Sequence, residues 1–377
     1  MTDSETTRRD LLRGLAGRTA ADTSHDATRE NEGTRDVGTV PAEQRAEFGP
    51  APFGGSTIRL TTTAMACDFS VIMNPGPSQQ IEAAGEVLEM IHDIESWLSI
   101  YRTGSEISQM NRRAFQEPVT VRRSLFDLLR DSVRCWKQTD GGFDIASGAL
   151  VQLWRTCRQQ QRIPTQDEID DARLSSGTQH LLLDEDLCAV RFAADGLSLD
   201  PGAIGKGFAL DECASWLSQS EFGPQEFLLH GGHSSLLARG THNGHAGWPV
   251  GIGNPLFTNR RLGTILLCNE AMATSGSNIQ FFRHEGRRYG HILDPRTGWP
   301  VDGMLSVTAI APSAAIADAV STAFFVLGIE KAKQCCENLP GVGVILIPFP
   351  AEGRRVFPTV IGISPSRIFW DSDQVAL

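Results

Sequence analysis

The chain has 377 residues, of which 41% are apolar, so it can bury a sizeable core in one large domain or two smaller ones. Its 34 Lys and Arg against 45 Asp and Glu give a formal net charge of -11, which argues against a general nucleic-acid binder because such proteins need a basic face. The eight cysteines contain no C-x-x-C pair, which argues against zinc sites and disulfide frameworks, and no apolar run reaches the length of a membrane span.

The first 55 residues are polar, charged and nearly free of aromatic side chains, so we predict a disordered tail followed by a folded domain over residues 56–377. Arg8 and Arg9 precede Leu11 and Leu12 in a pattern that resembles a twin-arginine export signal. Charged residues interrupt the apolar region that should follow, so the motif is degenerate. Without a clear signal the sequence slightly favours a cytoplasmic protein, and a periplasmic or membrane-associated protein is the alternative.

After the tail, apolar residues recur at the spacing of strands or of helices. Residues 56–74 alternate and are rich in Thr, Ile and Val, which predicts a strand or hairpin, and the polar stretch 98–112 is expected to be a loop. Helices are expected over residues 81–98, 124–137, 166–178, from about 314, and 329–338. Strands are expected over residues 180–183, 189–192, 227–240 as strand–turn–strand, 248–252, 262–268, 305–311, 342–347 and 359–361.

Glycine-bearing turns are the next feature. The segment TDGGFDIASGALVQLW, residues 139–154, has glycines that let a ligand approach the backbone, although such glycines commonly just turn the chain. In LSLDPGAIGKGFALD, Lys206 lies where a helix is expected to begin, and free main-chain N–H groups favour anions there. The spacing is neither a Walker P-loop nor G-x-G-x-x-G, so taken alone it is a weak sign of an anion site. Another small-residue turn is expected at Ser275-Gly276, and His230 and His233 are both expected to be hydrogen-bonded structural groups.

The C-terminal third carries side chains suited to phosphate chemistry. His291 precedes a turn at Asp294-Pro295, and Ser313 is the expected N-cap of the helix that follows. On that helix Asp318 and Thr322 are four residues apart, so both side chains face the same way. A carboxylate and a hydroxyl near a histidine indicate a site for Mg²⁺ and a phosphate group. The alternative is that they are ordinary polar side chains on the surface of a helix.

Taken together, these segments resemble the ApbE family, the FAD:protein FMN transferases. The resemblance covers about residues 61–346, and its motifs are TTTAMACDFS, LSIYRTGSEISQMN, GGFDIASGALVQLW, LDPGAIGKGFALD, GGHSS, ATSGS, HILDPRTG, SVTAIAP and ADAVSTAFFVLG. Any one motif is weak, but all of them in the family's order make a strong signal. The resemblance implies an α+β fold: a single, T-fold-like catalytic domain of two interleaved lobes with the flavin site between them.

The resemblance also implies roles for individual residues. The implied Mg²⁺ site comprises the carbonyl of Ala203, Asp318, Thr322 and, bordering the metal, Ser321. The implied contacts with FAD are Met65, Tyr101, which stacks on the isoalloxazine ring, Gly142, Phe143, Asp144, Asp200, Lys206 and Ile292. His291 matches the histidine of the family's SH-x-x-DP-x-TG signature and is expected to act as the general base.

Some positions depart from the family's pattern. Ala66 and Cys67 replace the Gly and Thr of an M-G-T motif, Gly290 replaces the usual Ser or Thr before the signature histidine, and His233 stands where Asp or Thr is common. These departures affect details of the flavin pocket. Tyr101 is retained, and because relatives without that aromatic lean towards FAD hydrolysis, its presence favours transfer.

The reaction implied by the resemblance is Mg²⁺-dependent transfer of FMN from FAD to a Ser or Thr hydroxyl of a target protein, with release of AMP. The implied partner is a flavin-accepting subunit of a redox complex. A FAD pyrophosphatase that yields FMN and AMP is one alternative, and a FAD-binding protein without turnover is another. The first would release AMP without any acceptor, and the second would bind FAD and release none.

Overall fold

A computed structural model of the chain describes residues 52, 55–277, 281–350 and 355–371. Apart from positions 52 and 55, the predicted tail and its twin-arginine-like motif lie outside the described residues and stay predictions. The described residues belong to one unit by their contacts.

Seven α-helices and sixteen strands are assigned within the described residues. The helices are α1 (Gln79–Leu98), α2 (Glu106–Arg113), α3 (Arg123–Gln138), α4 (Gly148–Gln159), α5 (Gln166–Leu174), α6 (Gly205–Gln219) and α7 (Ala314–Cys336). The strands are β1 (Ile58–Ala64), β2 (Cys67–Met73), β3 (Val119–Thr120), β4 (Leu181–Asp184), β5 (Ala189–Phe192), β6 (Phe227–Gly231), β7 (Ser235–Arg239), β8 (Trp248–Gly253), β9 (Arg261–Leu267), β10 (Glu270–Gly276), β11 (Phe281–His284), β12 (Arg287–Gly290), β13 (Met304–Ala311), β14 (Gly343–Pro348), β15 (Thr359–Ile361) and β16 (Ile368–Trp370).

The central sheet joins eight of these strands in the order β1-β2-β6-β7-β10-β13-β14-β15, and all neighbours are antiparallel. Strand β13 is buried along its whole length, as expected for an apolar run with neighbours on both sides. Three small sheets complete the fold, with strand orders β16-β9-β8, β3-β5-β4 and β11-β12.

Both faces of the central sheet are covered. Helices α1, α6 and α7 contact one face and share the larger apolar core with it. The β8-β9-β16 sheet forms a second core with side chains of the central sheet, including Leu228, Leu236 and Ile345. Because strands alternate their side chains between the two faces, one sheet can supply both cores.

Most elements predicted from the sequence are confirmed, including the β1–β2 hairpin, α1, α3, β5, β13 and the start of α7 with Ser313 as its N-cap. The helix expected at 329–338 is the end of α7, which Gly328 separates from the first part with φ 75° and ψ -178°. Three expectations were wrong. The loop at 98–112 contains α2, the Ser275-Gly276 turn is part of strand β10, and α5 ends at Leu174, four residues early.

The expected α+β class is confirmed, with mixed helices and sheets in one domain. Within the described part of the chain, no helix combines the length and the hydropathy that crossing a bilayer requires.

Candidate functional site

Helices α6 and α7 approach each other closely at Gly207. A Cβ atom at that position would lie 2.1 Å from the carbonyl oxygen of Ala314, so any other residue would force the helices apart. One turn further along α6, Asp211 accepts hydrogen bonds from the hydroxyl of Ser313 and from the main-chain N–H groups of Ala314 and Ala315, at 2.7–2.9 Å. The carboxylate of one helix therefore caps the first turn of the other.

The capping is reciprocal, because the carboxylate of Asp318 on α7 accepts a hydrogen bond from the first turn of α6. Its Oδ2 accepts the N–H of Gly207 at 2.7 Å, and its Oδ1 accepts the hydroxyl of Ser235 on β7 at 2.6 Å. Only 6% of Asp318 is exposed. A carboxylate at a helix N-terminus is stabilised by the free N–H groups and the helix dipole, and each oxygen keeps a further lone pair for another ligand.

Three further hydroxyl groups lie near Asp318, on α7 and β10, and contact its main chain or one another. Ser321 and Thr322 donate to the main-chain oxygen of Asp318 at 2.9 and 3.2 Å. The hydroxyl of Ser275 lies 2.9 Å from that of Ser321 and 3.1 Å from that of Thr322. The sequence predicts a turn at Ser275, but strand β10 continues through it beside α7 and brings this hydroxyl to the site.

Ala203 ends the 3-10 turn Pro201–Ala203, which directly precedes α6 and contacts α7. Lys206 is half-buried in the first turn of α6, where its charge acts on Cys67 at the start of β2. Burial raises the pKa of the Cys67 thiol, and the positive charge of Lys206 opposes that rise. The α6 N-terminus, the tip of the β1–β2 hairpin and Asp318 therefore lie together.

The donors at this site suit a hard cation. No group of three or more His, Cys, Asp or Glu side chains in the described residues is arranged to hold a metal. An ion here would be held by one carboxylate, Asp318, with hydroxyl and carbonyl oxygens around it. An all-oxygen set with a single charge fits Mg²⁺, which keeps several waters and binds phosphate oxygens, better than Zn²⁺.

Met65 and Ala66 form the tip of the β1–β2 hairpin with φ of 49° and 60°. Positive φ at both central residues is the geometry of a type I′ turn, which usually takes Asn or Gly, so these two residues are strained. The N–H of Met65 donates to Glu95 of α1 at 2.9 Å, and Glu95 also pairs with Arg102 at 3.1 Å. The tip is thus held beside the segment that carries Tyr101.

Tyr101 is 74% exposed, which leaves its ring available for a ligand. The guanidinium of Arg155, on α4, lies 5.1 Å from the ring centre and 4.0 Å from Oδ2 of Asp200. Asp200 caps the 3-10 turn by accepting the N–H of Gly202 at 2.8 Å. Arg155 therefore links the exposed aromatic ring to the turn that leads into α6.

The Gly142-Phe143-Asp144 turn is held in place by its own side chains. Asp144 accepts the hydroxyl of Thr178 at 2.6 Å, and burial raises its pKa although this bond and two main-chain N–H groups oppose the rise. Phe143 is buried in the core, so contacts from this turn to a ligand would use the main chain. A Cβ atom at Gly142 would lie 2.7 Å from Leu327 of α7, so the turn packs tightly on that helix.

His291 follows β12 directly and is exposed. The next residue, Ile292, is buried in the larger core, and its carbonyl accepts the N–H of Val301 at 2.9 Å. In the turn that follows, Arg296 lies beside Gly141. A Cβ atom placed on Gly141 would be 3.8 Å from Cγ of Arg296. The His291 loop is therefore adjacent to the Gly142 turn.

The structure brings Ala203, Lys206, Asp318, Ser321 and Thr322 together at the crossing of two helices. Arg155 joins Tyr101 to Asp200 through its contacts with both side chains. Met65 is held to helix α1, Gly142 packs on helix α7, and Ile292 is buried in the larger core. The site residues that the sequence did not predict as such are Ser235, Ser275, which was expected only to form a turn, Asp211, Arg155 and Glu95. The motifs GGHSS, ATSGS and GKGFALD contain the first three, but nothing local to them indicated which atom would face the site.

Comparisons with known proteins agree with this geometry. The sequence profile of the ApbE family matches residues 55–346. The chain is 32% identical over 267 residues to the FAD:protein FMN transferase of Klebsiella pneumoniae strain 342, covering 70% of this chain and 81% of that protein. It is 33% identical over 298 residues to the FAD:protein FMN transferase of Treponema pallidum strain Nichols, covering 76% and 82%. The crystal structure of the ApbE protein of Thermotoga maritima superposes with a TM-score of 0.71 at 28% identity, covering 78% of this chain and 94% of that one.

Proposed function

Because this chain belongs to the ApbE family, we propose that it is a flavin transferase that moves FMN from FAD to a Ser or Thr hydroxyl of a target protein and releases AMP. The observation that carries the proposal is Asp318, a buried carboxylate that is fixed by Gly207 and Ser235. The hydroxyls of Ser321 and Thr322 lie on the same helix and donate to its main-chain oxygen. FAD is the donor of the flavin. A redox-complex subunit is the kind of target expected from the family resemblance.

In the proposed reaction the acceptor oxygen bonds to the phosphorus on the flavin side of the pyrophosphate. The bond from that phosphorus to the bridging oxygen breaks, and AMP leaves with the bridging oxygen. Mg²⁺ held by Asp318, Thr322 and the Ala203 carbonyl would neutralise charge on the phosphate oxygens. Ser321 borders that position.

The side chains of this protein would bind the donor and move the acceptor's proton. Lys206 offers a positive charge and the free N–H groups of a helix start to the phosphates. The Tyr101 ring would stack on the flavin, with Arg155 behind it. His291 is exposed, so an acceptor protein can reach it, and a neutral imidazole can take the hydroxyl proton near pH 7.

The test is mass spectrometry of candidate acceptor proteins after incubation with the chain, FAD and Mg²⁺. The expected result is one phosphoflavin on a Ser or Thr, equimolar AMP, and no modification when Mg²⁺ is removed with a chelator. Release of AMP at the same rate without acceptor would instead identify a FAD pyrophosphatase. Bound FAD with no AMP in either reaction would identify a binding protein.

A further inference from the structure

The β11–β12 hairpin directly precedes His291 and carries an unusual charge pattern on one face. In its register Phe281 lies opposite Gly290, Phe282 opposite Tyr289, and Arg283 opposite Arg288. Phe282 and Tyr289 stack with ring centres 5.3 Å apart and pack against Trp154. Because side chains alternate along strands, Phe281, Arg283 and Arg288 share the opposite face, which we name the arginine face.

The arginine face is built around an exposed aromatic ring. Phe281 is 37% exposed, and the guanidinium of Arg288 lies 4.1 Å from its ring centre while that of Arg283 lies 5.9 Å away. Arg288 also donates to the main-chain oxygen of Ser277. The face is therefore an ordered arrangement, with one arginine anchored and the other, Arg283, exposed.

Two like charges directly opposite each other on a strand pair destabilise it. In the part of the chain that the structure describes, neither Arg283 nor Arg288 forms an ion pair with a carboxylate. Asp302 pairs instead with Arg287 at 3.4 Å, and Glu285, in the turn of the hairpin, is exposed to solvent. This positive charge is left uncompensated in a chain whose net charge is -11.

A shallow depression runs beside the hairpin and gives this surface room for a ligand. Its volume is about 180 Å³, and it is lined by Arg287, Arg288, Tyr289, Trp299, Pro300 and Asp302. Among the described strands, β12 pairs with β11 alone, which leaves its other edge unpaired, and three residues of β12 line this depression. An extended peptide can add to such an edge through its main chain, with its side chains on alternate faces.

We propose that the arginine face and the adjoining edge of β12 bind an extended, acidic segment of the flavin-accepting protein, next to the hydroxyl that is modified. The inference rests on the proposed function, since it assigns the acceptor's binding surface. Carboxylates of the acceptor would neutralise Arg283 and Arg288, and an apolar side chain would cover Phe281. Because Gly290 ends β12 and His291 follows, a segment on this edge leads to the proposed base.

The test uses two short fluorescein-labelled peptides, one of repeated Asp-Thr-Gly and one of repeated Lys-Thr-Gly, with binding measured by fluorescence anisotropy in the presence of FAD and Mg²⁺. We expect the acidic peptide to bind and the basic one not to. Binding of the acidic peptide should weaken as salt rises, because the attraction is between exposed charges.

The matched variants are Arg283→Glu and Arg260→Glu. Arg260 is exposed and lies 5.4 Å from the ring centre of Phe257, so it reproduces the local setting of Arg283 away from the hairpin. Charge reversal at 283 should lower the affinity for the acidic peptide about fivefold, the scale of two exposed charge interactions. Charge reversal at 260 should change that affinity less than twofold. FAD affinity, followed by flavin fluorescence, should be unchanged in both variants.

The outcomes separate this inference from the proposed function. Equal binding of the two peptides, or equal weakening by both variants, overturns the arginine face as the acceptor site even if FMN transfer to another protein is observed. Selective binding of the acidic peptide that is lost with Arg283→Glu supports the inference, and it does so whether or not AMP is released. A variant that loses both peptide and FAD binding would place Arg283 in the donor site instead.

Discussion

The Oδ2 atom of Asp318 accepts the main-chain N–H of Gly207 at 2.7 Å, although the two residues are 111 positions apart in the chain. The same two helices exchange a second cap in the opposite direction, from Asp211 to the first turn of α7. Each helix start is therefore fixed by a carboxylate of the other. The proposed metal ligand Asp318 and the proposed phosphate-binding residue Lys206 are positioned by one interface.

Replacing Asp318 with Asn tests the proposed metal site. The amide keeps an oxygen that can accept the bond from Gly207 but removes the charge, so we expect the fold to persist and the transfer rate to fall by about 10²-fold or more. The loss should not be recovered by raising Mg²⁺. Rates are measured by AMP release with acceptor across a Mg²⁺ titration, and Asp186→Asn, at an exposed turn position, is the control. A wild-type Mg²⁺ dependence in Asp318→Asn would remove this residue from the site.

Asp211→Ala should destabilise the protein by about 2 kcal/mol, because it leaves three donors at the start of α7 without their acceptor. The measurement is urea unfolding, with Asp186→Ala as the control. The same variant should need more Mg²⁺ for half-maximal activity, since α7 carries Asp318. If stability falls while the Mg²⁺ requirement stays the same, the cap supports the fold but does not position the metal site.

His291→Ala should lower the rate of transfer by roughly 10²-fold or more, the usual contribution of a positioned acid or base. FAD binding, measured by flavin fluorescence, should stay close to wild type. The exposed position of His291 makes a large loss of stability unexpected. An unchanged transfer rate would refute the role of general base.

Tyr101→Ala should weaken FAD binding by roughly threefold to tenfold, the range for one aromatic stacking interaction. It should also raise the ratio of acceptor-free AMP release to transfer, because the ring would no longer cover the flavin. Thermal stability should not change, since the side chain is 74% exposed. Leu174→Ala, at a residue that is 75% exposed, is the control for removing a large exposed side chain. Unaltered FAD affinity would show that Tyr101 does not stack on the ligand.

His230 should make stability depend on pH. Burial lowers its pKa to about 4, with further lowering from Arg59 and His233, whereas the unfolded chain titrates near its ordinary value of about 6.5. Between these values the unfolded state binds more protons, so stability falls as pH drops from about 6.5 towards 4. The contribution lost between pH 7 and pH 5 is about 2 kcal/mol for this side chain. Urea unfolding of wild type and His230→Gln at both pH values should show the smaller pH dependence in the variant, and equal dependence would contradict the assignment.

The elements that the sequence predicted are those with strong local signals. The alternating run at β13, the Ser313 cap and the spacing of Asp318 and Thr322 are properties of neighbouring residues, so they could be derived before the structure. The sequence predicts a loop where helix α2 lies because the helix is short and mostly polar, with Ile107 and Met110 as its buried apolar residues.

Small residues misled the prediction in β10. Ser275 and Gly276 have the composition of a turn, but they lie in a strand, where Ser275 approaches α7 closely enough for its hydroxyl to reach Ser321 and Thr322. Composition alone does not distinguish small residues that turn a chain from small residues that let two elements approach. The packing of α7 on the central sheet decides between them.

The sequence by itself determined the family, the order of the elements and which side chains lie one helical turn apart, because each depends on residues close in the chain or on motifs in fixed order. Only the tertiary structure decided that Gly207 and Ser235 bond to Asp318. It also decided that Asp211 of α6 caps the first turn of α7. Those hydrogen bonds join segments 83 to 111 residues apart, so they exist only once helix, sheet and core have packed together.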